Sequence, residues 1–147
     1  MEQQTTNLYD TDFNLWIEQT VRQLQQGDLQ SLDVENLIEE IESMGHSDKR
    51  EVYSHLKVLL LHLLKWKYQP LKRTASWQNN IDEQRDQLSL ILADSPSLNP
   101  HMKAIFADCY LKGRKGAANE TSLPLSTFPE DCPFSLGEIL DAEFLPD

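Results

Sequence analysis

The residue best placed to do chemistry is His62. It stands in Leu61-His62-Leu63-Leu64-Lys65-Trp66, within the most apolar part of the chain, and His55 lies seven positions before it. Seven positions is close to two helical turns, so both imidazoles leave one side of a helix. An imidazole among leucines needs hydrogen-bond partners. Glu40 or Glu42, from the acidic run Glu39-Glu40-Ile41-Glu42, could supply one. Paired carboxylates whose proton affinities are pushed apart can also work as acid and base. Lys65 and Arg85 complete the candidate set for a polar pocket around His62. Two histidines and two carboxylates on facing helices would also suit a metal inside a bundle. The chain has no Glu-x-x-His pairs and no His-Glu-x-x-His, so neither a metal nor a cofactor is expected. The plainer reading is that His62 is a satisfied core histidine and the acidic run a solvated helix face.

A second feature is Lys65-Trp66-Lys67-Tyr68-Gln69-Pro70-Leu71-Lys72-Arg73, with four basic and two aromatic residues. Basic charge interleaved with aromatics can hold single-stranded nucleic acid. Lysines in the last turn of a helix also meet its negative end, which explains the run without a ligand. The formal net charge of −11 opposes phosphate binding, so nucleic acid is not expected as a partner. The charge is uneven. Residues 1–45 hold one Arg against ten Asp and Glu, a net −9; residues 46–92 are net +3 and residues 93–147 net −5. An acidic first third without a recognisable catalytic motif suits a protein that binds a partner or itself.

The elements that would position these residues follow from periodicity. A first helix is expected over 11–26: Asp12 can cap it, Phe13, Trp16, Ile17, Thr20, Val21 and Leu24 make one face, and Gly27 ends it. A second begins after Asp33, carries Val34, Leu37, Ile38, Ile41 and Met44 on one stripe, and stops at Gly45. A third, about 47–68, is apolar nearly all round and is expected to be the buried centre, ending before Pro70. A fourth covers 76–93. A fifth covers 99–114 with Pro100 at its start, and a short last helix covers 135–140. No segment alternates long enough for a convincing strand; at most a short pairing could occur at 123–128. The fold class is therefore all-α, a compact bundle of five or six helices around a buried central helix. One domain over 1–147 is expected, with a flexible N-terminus over about 1–10 and an irregular segment at 115–134.

No apolar run approaches the roughly 20 residues a bilayer-spanning helix needs. The N-terminus is polar and reads as no secretory signal. Cys109 and Cys132 stand 23 positions apart in no metal-binding spacing, and reduced thiols in the cytoplasm are expected.

These motifs also occur in a recognisable order. Trp16, Leu32-Asp33 and Leu37-Ile38-Glu39-Glu40-Ile41-Glu42-Ser43-Met44-Gly45 come first. Leu61-His62-Leu63-Leu64-Lys65-Trp66 with Gln69-Pro70 follows, then Ser76-Trp77, Ile81, Arg85, Ser95-Pro96-Ser97-Leu98 and Cys132-Pro133. In this order, from about Tyr9 to Pro146, the chain resembles the bacterial family called domain of unknown function 29, common in cyanobacteria. The resemblance implies an all-helical fold and a bacterial cytosolic setting, and supplies no activity, cofactor or catalytic residue. The functional expectation is thus a small cytosolic interaction module. The alternatives are an enzyme or small-ligand protein with a pocket around His62 and Glu40 or Glu42, and a nucleic-acid-associated protein using residues 65–73.

Overall fold

A computed structural model of the protein describes residues 8–147. The chain divides into two units, Met1–Ser47 and Asp48–Asp147. The fold is all-α, and no strand occurs among the described residues. The flexible stretch expected at 1–10 falls largely outside the described residues; residues 8–11 are helical.

In the first unit, α1 spans Phe13–Gln25. Asp12 caps it, its carboxylate accepting the Leu15 N–H at 3.1 Å. Gly27, at φ 72°, ends it in the left-handed conformation that a residue without Cβ adopts freely. The Gly27 N–H then reaches the Leu24 carbonyl at 3.2 Å and the Asp28 N–H the Gln23 carbonyl at 2.9 Å, so two orphan carbonyls are satisfied. A single 3-10 turn, Leu29–Ser31, leads to Asp33. Asp33 accepts the Asn36 N–H at 3.5 Å and its side-chain amide at 2.7 Å.

α2 begins there and spans Val34–Tyr68. The stop expected at Gly45 does not occur: the second and third expected helices are one, and Glu40 and Glu42 share that helix with His62 rather than facing it from another. Two new helix ends would each leave four backbone groups without partners. One interior glycine costs only about 1 kcal/mol, and no proline follows to force a break. Residues 41–51 are all exposed.

In the second unit, Val52, Leu56, Leu59, Leu60, Leu63 and Leu64 of α2 are fully buried. α2 ends at Tyr68 because Pro70 follows, and the intervening Gln69 leaves the helical region at φ −133°. α3 spans Ala75–Asp94, capped by the Thr74 hydroxyl on the Trp77 N–H at 3.2 Å. α4 spans Leu98–Thr121, seven residues beyond the expected end, so the first part of the segment expected to be irregular is helical. The reason is packing: a Cβ on Gly113 would stand 3.0 Å from the Lys57 carbonyl oxygen and 3.2 Å from Leu60 Cβ. The glycines let α4 lie close on α2. A 3-10 turn, Leu125–Thr127, replaces the short strand pairing that 123–128 could have made. α5, Leu136–Leu140, is opened by a capping box in which Ser135 Oγ accepts the Glu138 N–H at 3.1 Å and Glu138 accepts the Ser135 N–H at 3.0 Å. One apolar cluster joins α2 to Ile81 and Leu88 of α3, Met102 and Cys109 of α4, Phe128, Phe134 and Ile139. None of the helices among the described residues is long and apolar enough to cross a membrane.

Candidate functional site

Sequence reasoning placed the chemistry at His62. In the second unit that residue is part-buried and lies near Lys65 and Glu120, which both act on its charge. Burial, then the neighbouring Lys65 cation, hold the His62 imidazole below its ordinary pKa of 6.5, with Glu120 pulling the other way. The ring is therefore neutral near neutral pH, and its Nδ1 is buried without a hydrogen-bond partner among the described residues. Lys65 is 9% exposed. Its ammonium is held by Glu120 at 3.0 Å and stands 4.6 Å from the centre of the Trp77 ring. A desolvated ammonium against an indole face gains cation–π attraction. His55 meets Gln84 at 2.6 Å through Nδ1. Glu120 was not visible as a partner in the sequence, since 55 positions separate it from Lys65. Among the described residues no group of three or more His, Cys, Asp and Glu converges as a metal would need.

Arg85, also expected near His62, is 5% exposed. It donates Nε–H to the Ile139 carbonyl at 2.8 Å and Nη2–H to that of Glu138 at 3.5 Å. Its cation thus sits on the carbonyl end of α5, where a positive charge is favoured. Nη1 is buried without a partner among the described residues, and burial lowers the guanidinium's proton affinity.

Part of the basic run 65–73 is engaged within the chain, while Leu71 and Lys72 are exposed. The Arg73 guanidinium lies 5.0 Å from the Trp66 ring centre, and its donors reach the carbonyls of Trp66 at 2.8 Å and Asp147 at 2.6 Å. Tyr68 meets Phe128 edge-on at 5.4 Å. These contacts leave the aromatics poorly disposed to stack on bases.

The other candidates, Glu40 and Glu42, belong to the first unit, and there a different site emerges. Between α1 and the first turns of α2 runs a groove of about 330 Å³. Ile17, Val21 and Leu24 line it from α1; Leu37, Ile41 and Met44 line it from α2. Five of these six remain 40–61% exposed, Met44 the most. Two helices cannot cover a stripe more than about 100° wide on each, so a strip of each face stays open. Trp16, 4% exposed, also lines the groove, its indole Nε1 without a hydrogen-bond partner among the described residues. Thr20 satisfies its hydroxyl on the Trp16 carbonyl at 2.7 Å. Tyr9, Phe13 and Trp16 form an aromatic cluster, with ring centres 4.8 to 5.8 Å apart.

Among the described residues Glu40 is the one charged residue in the groove lining. It accepts a hydrogen bond from the Tyr9 hydroxyl. That bond, with burial and the charges of Glu40 and Glu39, pushes the Tyr9 phenol up to about 12. The carboxylate is thereby held beside apolar walls. Glu39 and Glu42 are exposed. Among the described residues the groove's polar lining groups are the Glu40 carboxylate, the Trp16 indole and the Thr20 hydroxyl, the last engaged on the Trp16 carbonyl. What it offers is apolar area with fixed negative charge beside it. The sequence showed both stripes; it did not show that they would remain uncovered.

The chain matches, over residues 8–145, the family model described as "Domain of unknown function DUF29". No curated protein and no solved structure matches it.

Proposed function

The chain belongs to this DUF29 family, whose description assigns no activity, and we propose that it is a protein-interaction module that docks one helix of a partner in the groove of its first unit. The observation that carries this reading is the exposed apolar stripe on both walls, with Ile41 at 56% and Met44 at 61%. Contiguous apolar surface of this kind is costly in water and marks interaction sites. A pair of helices that leaves such a groove open is completed by a third helix laid along it, with anchors at i, i+3, i+4 and i+7.

The test is a fluorescence-anisotropy titration with labelled amphipathic helical peptides of about four turns, the length of α1. The full chain is compared with the double variant Ile41→Ser/Met44→Ser. Both side chains are already largely exposed, so the variant keeps its fold. Saturable binding that weakens about tenfold in the variant supports the reading. Binding by no peptide, or binding indifferent to the variant, removes it.

A second reading, a small-ligand site at His62, rests on the unpaired Nδ1 beside Lys65 and Glu120. Native mass spectrometry of protein from its own host tests it. Added mass that is lost on denaturation, and absent in His62→Leu, supports it; a bare chain in both counts against it.

A further inference from the structure

Resting on the docking reading above, we infer that the groove's occupant is a basic amphipathic helix of a partner protein rather than a second copy of this chain. The charge of the first unit decides between them. Residues 1–45 carry ten carboxylates and one cation, Arg22. Glu40 lines the groove itself, fixed by the Tyr9 hydroxyl. Glu39 and Glu42 are exposed on either side of it in sequence, and neither makes an ion pair with a lysine or arginine among the described residues. A second copy seated by its own first unit would bring net −9 against net −9. Like charge across an interface is unfavourable and suppresses such pairing. A helix with apolar anchors on one face and Lys or Arg on its borders meets both features at once: its leucines fill the apolar walls while its cations meet the carboxylates. The 13 residues of α1 span about 20 Å, so the fitting helix is about 13 to 15 residues long.

The experiment uses three labelled peptides of about 14 residues with leucine at the same i, i+3, i+4, i+7 positions. The remaining positions are filled with Lys in one, Gln in the second and Glu in the third. Each is titrated by anisotropy against the full chain, against Ile41→Ser/Met44→Ser, and against Glu39→Gln/Glu42→Gln, at about 0.05 M and about 0.5 M salt, since added salt screens exposed charge. Sedimentation equilibrium follows the oligomeric state of the unliganded chain.

The Lys peptide is expected to bind about tenfold tighter than the Gln peptide at low salt, with the Glu peptide weakest and the difference largely gone at high salt. The Glu39→Gln/Glu42→Gln variant should lose about threefold for the Lys peptide and nothing for the Gln peptide. Equal binding of the Lys and Gln peptides, both weakened by the groove variant, overturns the charge inference and leaves docking intact. Indifference of every peptide to the groove variant overturns docking itself. A dimer that Ile41→Ser/Met44→Ser converts to a monomer shows that the occupant is a second copy, and overturns the inference.

Discussion

Arg85 Nε donates to the Ile139 carbonyl at 2.8 Å, across 54 positions of sequence. The bond ties α3 to the last helix, and Nη2 extends it to Glu138. Replacing Arg85 by Leu leaves these carbonyls without their cationic donor, at a cost of about 2 kcal/mol. Arg85→Lys keeps the charge but not the planar fork, so it should recover only part of that loss. Urea midpoints of the three proteins check the order. A Leu variant as stable as the parent would mean that water serves the carbonyls equally well.

Gly113 makes a second prediction. Its Cβ position meets backbone, the Lys57 carbonyl oxygen and the Leu61 nitrogen, at 3.0 and 3.3 Å. Backbone cannot swing aside, so Gly113→Ala should destabilise by about 1 to 3 kcal/mol. At Gly116 the close atom is Leu61 Cδ1 at 2.6 Å, the end of a flexible side chain. Gly116→Ala should therefore cost less. Thermal unfolding of the two variants gives the ranking, and the reverse order would contradict the packing described.

Gly45 should behave in the opposite way. It is inside α2 with nothing within 4 Å of an added Cβ. Alanine there costs no clash and gains helix propensity, about 1 kcal/mol. Gly45→Ala is expected to raise helical ellipticity and stability. A loss would mean that the helix needs to bend at this point.

The part-buried imidazole of His62 predicts a pH dependence. Its folded-state pKa lies below the unfolded 6.5, so the folded chain takes up the proton less readily. This site's contribution is full above about pH 6.5 and is lost as pH falls from there through the lower folded value. His62→Leu removes it. The stability of His62→Leu relative to the parent should therefore rise as pH drops below about 6.5, in denaturant titrations at several pH values. A constant difference would show that the ring titrates as if exposed.

Much of the fold was legible because end signals are local. Asp12, Gly27 and Gln69-Pro70 each act within a few residues, and each terminates a helix as the sequence indicated. Gly45 was read by the same rule and is helix interior, as are Gly113 and Gly116. A glycine ends a helix when the chain there turns left-handed, as at Gly27. Where it instead admits a neighbouring backbone, as at Gly113, only the tertiary partner reveals its role. The site divides in the same way. Lys65 was visible as a candidate beside His62, but its anion, Glu120, is set by how α4 lies on α2. The stripes of α1 and α2 were visible at once; whether a stripe is covered depends on how many helices are available to cover it.

The bare stretch of α2 has one further consequence. Residues 41–51 bury no side chain, so their backbone hydrogen bonds open to solvent without disturbing a core. Amide deuterium exchange should be fast there and slow from Val52 onward. Trypsin should find Lys49 and Arg50 before the sites deeper in the chain. Since the apolar cluster begins at Val52 and ends at Ile139, the fragment released by such a nick keeps every residue of that cluster.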